Sequence, residues 1–142
     1  MRIVIDTNIW VSGLLWRGAP WRLLRLAEEG QIELCVSPGA LLELVEVLSH
    51  ERLQPRLREL QLSPADVIVY VAHRASFFEV SEGAPIVAAD PDDDVFLRCA
   101  EAAHVAYVVS GDRHLLDVGT YAGIPIVTVR DFLTEEFADL EV

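Results

Sequence analysis

Short apolar runs rich in β-branched residues alternate along the chain with longer stretches of helical periodicity. The first run, Ile3-Val4-Ile5, has no polar alternation, which is the pattern of a strand buried on both faces, and it ends in Asp6-Thr7-Asn8. Residues 9–15 are apolar and predict a short helix, broken by Gly18-Ala19-Pro20. A second helix is predicted from 20 to 29, with Leu23, Leu24, Leu26 and Ala27 inward and Gly30 as its C-terminal stop. Residues 33–36 predict a strand. Ser37-Pro38 then opens a helix to Leu48, with Ser as N-cap and Pro at the first helical position.

The arginine-bearing segment 51–62 around Pro55 predicts a loop or a broken helix. Ser63-Pro64-Ala65-Asp66 has the spacing of a capping box and predicts a helix to about Phe77. Residues 78–80 and 85–87 are expected to be short extended pieces. A further helix follows Asp90-Pro91 and carries Phe96, Leu97, Cys99, Ala100 and Ala103. Residues 105–109 predict a buried strand ending in Ser110-Gly111-Asp112, and a short helix carries Leu115 and Leu116. Pro125-Ile126-Val127 is the last expected strand. Thr128 to Asp131 starts the last helix, with Phe132, Leu133 and Phe137 inward. Alternating strand and helix signals predict an α/β fold whose mainly parallel sheet is covered on both faces. No repeat or linker divides residues 1–142, so one domain is expected.

Composition narrows the chemistry. The 142 residues are 52% apolar, enough for a real core, and no apolar run reaches membrane-span length. The N-terminus lacks a signal-peptide pattern. Cys35 and Cys99, far apart in apolar surroundings, read as reduced thiols in a cytoplasmic protein. All 11 basic residues are arginines, which removes the active sites that need lysine, including the P-loop and the Schiff base. The net charge of −12 is concentrated in the C-terminal half, where residues 75–142 carry three arginines against 14 acids. Such charge repels nucleic acid unless divalent cations reverse its local sign.

Four acid positions stand out. Asp6 and Asp112 each follow a strand, where open α/β sheets place their ligands. Glu43 lies in a leucine-rich helix, with Glu46 three residues on, and an acid there needs a positive partner. Asp90, Asp92, Asp93 and Asp94 crowd one helix start, more charge than a helix dipole accounts for. Carboxylates gathered without His or Cys select magnesium or manganese over zinc, and such sites serve phosphate-ester hydrolysis. Arg17, Arg22, Arg25, Arg52, Arg56 and Arg58, in the less acidic half, are the candidates for contact with an anionic substrate.

Taken together, Asp6-Thr7-Asn8, the stretch from Ser37 through Glu43 and Glu46, Asp90-Pro91-Asp92-Asp93 with Phe96-Leu97, and Ser110-Gly111-Asp112 resemble the PIN-domain nucleases. The resemblance covers nearly the whole chain and is nearest to single-domain toxins of toxin–antitoxin systems, the VapC-like proteins. It implies a three-layer α/β/α sandwich and a metal-dependent ribonuclease that hydrolyses RNA phosphodiesters with metal-activated water. By position it implies Asp6, Glu43, Asp93 and Asp112 as the metal-holding catalytic acids, with Asp90 and Asp94 as alternatives in the third motif. Asn8 resembles the amide that orients the first acid, Ser110 stands where the family has Thr or Ser, and Glu46 is a supporting acid. Mg2+ or Mn2+ is the implied cofactor, and a homodimer held by an antitoxin the implied assembly. The alternatives are a non-catalytic PIN-fold module whose acidic half binds a basic partner, and a hydrolase of small phosphate esters.

Overall fold

The computed structural model describes residues 1–80 and 94–138. Six strands form one sheet: β1 Arg2–Ile5, β2 Glu33–Val36, β3 Ala75–Phe77, β4 Tyr107–Val109, β5 Thr120–Tyr121 and β6 Ile124–Val127. Their spatial order is β3-β2-β1-β4-β6-β5. Every ladder among them is parallel except β5–β6. From β1 the chain winds outward through β2 to β3, then returns to lay β4 on the other side of β1. The strand order therefore reverses between β1 and β4, and the carboxyl ends of those two strands flank the crevice.

The helices among the described residues are α1 Thr7–Leu15, α2 Ala19–Glu28, α3 Pro38–Leu48, α4 Gln54–Leu60, α5 Pro64–Arg74, α6 Asp94–Ala103, α7 Arg113–Val118 and α8 Val129–Glu136. They cover the sheet as a three-layer α/β/α sandwich. Successive residues Ile3, Val4 and Ile5 point to opposite faces of the sheet, yet all are buried, so both faces are covered. α6 packs over β1, β2 and β4, while α1 packs against α2 and α3. No helix of the described residues is long and apolar enough to cross a membrane. Cys35 and Cys99 are buried free thiols, and desolvation pushes Cys35 up to about 12 and Cys99 to about 11.

Local chemistry accounts for most element starts. The side chains of Ser37, Ser63 and Thr128 accept the backbone N–H groups of Ala40, Asp66 and Asp131, and Ser63 with Asp66 completes a reciprocal capping box. Gly30, at a φ of 76°, follows α2 in the left-handed region that favours glycine. The segment after Leu48 is a broken helix: a 3-10 turn over Glu51–Leu53 runs into α4, with Pro55 in the first turn.

Two local expectations are corrected. The helix opened by Ser63 stops at Arg74 rather than near Phe77, because Ala75–Phe77 pairs in parallel with β2. Phe78 continues that edge by donating its N–H to the carbonyl of Val36, at 2.9 Å. Helical periodicity is a local signal and carries no information about an open sheet edge elsewhere. The two-residue β5 is an unexpected strand. It turns back onto β6 through Ala122 and Gly123, both at positive φ, as a two-residue hairpin requires. Alanine at the first position hides that turn from a sequence reading, which looks for Asn or Asp there. The expected extended piece at 85–87 lies outside the described residues.

Candidate active site

The register of β1 against β4 sets the site. Ile3 faces Tyr107, Val4 faces Val108 and Ile5 faces Val109, so the next pair in line is Asp6 with Ser110. Asp6 continues the ladder by donating its N–H to Val109 at 3.2 Å, and Ser110 donates its own to Val127 at 2.9 Å. The two polar residues that end these strands are thus held side by side at the crevice.

Asp6 is buried, with only 3% of its surface exposed. Its Oδ1 accepts the N–H of Ile9 at 2.9 Å, capping α1. Its Oδ2 accepts the hydroxyl of Ser110 and, at 3.3 Å, the N–H of Gly111. Burial pushes the Asp6 carboxyl above its ordinary value, and the nearby charge of Asp112 acts in the same direction. The hydrogen bonds from Ser110, Ile9 and Gly111 pull the other way without cancelling the effect.

Ser110 links two acids. While donating to Asp6, its oxygen accepts the N–H of Asp112 at 2.9 Å. Asp112, half-buried, caps α7 by accepting the N–H of His114 at 2.7 Å. The third acid joins through the neighbour of Asp6: the Thr7 hydroxyl donates to Glu43 Oε2 at 2.7 Å. Ser37 fixes the start of α3 and so places Glu43, a turn and a half along, half-buried towards α1. Ser110 thus bonds the Asp6 carboxylate and the Asp112 backbone, while Thr7, the next residue after Asp6, bonds the Glu43 carboxylate.

The remaining expected residues divide. Asp93, its alternative Asp90 and Asp92 of the same cluster lie outside the described residues. Asp94 is buried in the first turn of α6. Glu46 is exposed one turn beyond Glu43. Asn8 is exposed and lines a neighbouring cleft; the bonds that hold Asp6 come instead from Ile9, Ser110 and Gly111. Thr7 and the Gly111 N–H are participants that the sequence reading did not single out. The polar triplet after β1 was the available signal for Thr7, but its bond to Glu43 spans 36 positions.

The arginines also divide. Arg25 is committed to the fold, ion-paired to Glu28 at 2.9 Å, bonded to Tyr70 at 3.3 Å and stacked on Trp21. Arg17 stacks on the same indole. Arg56 donates to the Leu15 carbonyl at 2.7 Å, pairs with Glu59 and lies over Trp16. Arg22 is half-buried on α2. Arg52 and Arg58 are exposed, and Arg52 lines the cleft beside Asn8.

No group of three acids, histidines or cysteines close enough to hold a metal ion occurs among the described residues. The donor chemistry still suits a hard cation. A carboxylate offers about four lone-pair positions and Asp6 uses three, leaving Oδ1 with capacity for one more partner. The connected acids supply oxygen alone, the ligand type that magnesium and manganese take.

Among curated proteins, none matches the chain. A solved structure with a similar fold is VapBC2 from Rickettsia felis bound to a DNA fragment from its promoter. It is 14% identical, with 89% of this chain and 97% of that chain covered and a TM-score of 0.58. At that identity the likeness speaks to the fold. The model of the PIN domain matches residues 2–114, which run from β1 through Asp6, Glu43, Ser110 and Asp112 into α7. That match, over most of the chain, shows that the chain belongs to the PIN-domain family.

Proposed function

We propose that the protein is a magnesium- or manganese-dependent ribonuclease, acting as the toxin of a toxin–antitoxin pair. The observation that carries this reading is the Asp6–Ser110–Asp112 linkage at the strand reversal, with Glu43 tied in through Thr7. Asp6, Glu43 and Asp112 hold the cation, and Asp93 completes the set, with Asp90 and Asp94 as the alternatives in its motif. When bound, the cation polarises water and neutralises charge on the phosphodiester. The chain's own part is positional. Ser110 and Gly111 aim Oδ2 of Asp6, Ile9 fixes Oδ1, and Thr7 keeps the Glu43 carboxylate turned towards α1. The hydroxyl of Ser110 serves Asp6 and the Asp112 backbone at once, so their separation is set by one atom.

Asp6→Asn tests the reading. It keeps the shape of the side chain and its ability to cap α1, but removes the charge that holds the cation. Cleavage of single-stranded RNA in manganese is expected to fall to background, and excess chelator is expected to do the same to the wild type. RNA cleavage that persists in the variant or in chelator would overturn it. The similar fold of VapBC2 supports the antitoxin partner in this reading; a cytoplasmic homodimer of single-domain chains belongs to the same proposal. The second reading is a PIN-fold module that binds a basic partner without catalysis. It is favoured by the capping duties that Asp6 and Asp112 already perform, and it predicts that millimolar magnesium or manganese gives no heat of binding.

A further inference from the structure

Beside the acids, a cleft of about 350 Å3 opens between α1 and the 3-10 turn, lined by Asn8, Val11, Ser12, Trp16, Arg52 and Leu53. Asn8, Val11 and Ser12 follow three- and four-residue spacing, so they form one stripe of α1. The stripe begins two residues after Asp6 and ends at Trp16, about 12 Å further along the helix axis at ~1.5 Å per residue. The volume lies at the lower end of the range of about 300–1,000 Å3 for small-ligand clefts, room for one flat group rather than an extended molecule.

The chemistry of the lining is specific. Trp16 is 44% exposed, so much of its ring is open to a partner. It is also held in place. The Arg56 guanidinium lies 5.8 Å from its ring centroid and is itself anchored on the Leu15 carbonyl and Glu59. An indole braced by a fixed cation, and open to solvent elsewhere, is a stacking platform that loses little freedom on binding. Arg52 is exposed across the cleft, and no described residue forms an ion pair with it, so its charge is available to a phosphate. Aromatic platforms beside arginine charge are how single-stranded nucleic acids are held without a fixed sequence.

We infer that this cleft is a nucleobase subsite: Trp16 stacks a base of single-stranded RNA, Arg52 meets that nucleotide's phosphate, and α1 spaces it from the phosphate at the acids. Arg56 acts through Trp16, as its brace. Asn8 and Ser12 offer hydrogen-bond groups to the edge of the base. This rests on the proposed ribonuclease reading for the identity of the strand, but the binding site stands on the cleft itself.

The test uses the full chain in chelator, so that nothing is cut, with a short fluorescent single-stranded RNA and anisotropy as the readout. Trp16→Ala is expected to weaken binding roughly 5- to 150-fold, the range for losing one base stack. Trp16→Phe, which keeps an aromatic face, is expected to recover most of it. Arg52→Ala is expected to reduce the slope of log affinity against log salt by about 0.7 to 1. A fully abasic strand of the same length is expected to bind the wild type more weakly than the intact RNA, and Trp16→Ala is expected to show a smaller difference between the two. Equal RNA affinity of Trp16→Ala and the wild type would overturn the subsite, as would an indole that responds to acidic peptides and not to RNA. The ribonuclease reading fails separately: wild-type protein that binds RNA through Trp16 but never cleaves it in manganese defeats that reading and leaves the subsite standing.

Discussion

Asp6 carries a conflict that a pH titration exposes. In the unfolded chain it titrates near the ordinary carboxyl value of 3.8; in the fold, burial raises it. Below that ordinary value both states hold the proton and the residue does not affect stability through ionisation. As pH rises through the raised folded value, the folded state must ionise a buried carboxylate, and stability is lost. In chelator, Asp6→Asn is therefore expected to have a higher melting temperature than the wild type at pH 7, and the gap is expected to narrow as pH falls below 4. Melting curves from pH 3 to 8 check this; a gap that does not change with pH would place the effect in packing or hydrogen bonding. The amide offsets part of the gain, because its NH2 cannot accept the N–H of Gly111 as Oδ2 does. At this scale the acids were visible in the sequence as residues out of keeping with apolar surroundings. Their connectors were not, because serine and threonine at strand and helix ends look like ordinary caps.

The packing of α1 on α2 includes one close approach. A Cβ built on Gly13 in α1 meets Leu24 Cδ1 at 2.8 Å and the Pro20 carbonyl oxygen at 2.9 Å. The leucine can rotate away, but the backbone oxygen cannot, so α1 and α2 would have to part. Gly13→Ala is expected to lower stability by about 1–3 kcal/mol, the cost of overpacking, which exceeds the roughly 0.5–1 kcal/mol that alanine contributes to a helix. Gly39 in α3 is the internal comparison. Its Cβ meets only Val95 Cγ2, at 3.3 Å, a side-chain methyl that can yield, so Gly39→Ala is expected to be close to neutral. Urea unfolding of the two variants separates these outcomes. Helix starts were legible because Ser37, Ser63 and Thr128 bond within three residues of themselves. The end of α5 and the strand β5 were not, since each depends on a partner strand that the local pattern does not contain.

For the molecule as a whole, charge is the governing quantity. A net charge of −12 opposes both compaction and an RNA strand, and the joined acids add to that opposition at the crevice. A cation that binds only the folded state relieves it and stabilises the protein by mass action, by about 2.7 kcal/mol at a hundredfold excess over its dissociation constant. Manganese is expected to raise the wild-type melting temperature by ~5–10 °C at that excess. In Asp112→Asn the rise is expected to be much smaller, while sodium at equal ionic strength should produce little in either. An equal manganese response in the two proteins would remove Asp112 from the cation site.

The sequence by itself determined the classes of element, the parallel sheet and the absence of lysine chemistry, and it offered the candidate acids. These follow from periodicity, capping and side-chain chemistry, all of which act over a few residues. Only the tertiary structure decided which groups meet. Asp6 lies beside Ser110 because β1 and β4 are neighbours in register, a pairing across 104 positions. Glu43 faces Thr7 because α3 packs on α1, and the Arg56 guanidinium meets the Trp16 ring across 40 positions. Such contacts are set by the closing of long loops around a shared core, which no local pattern records.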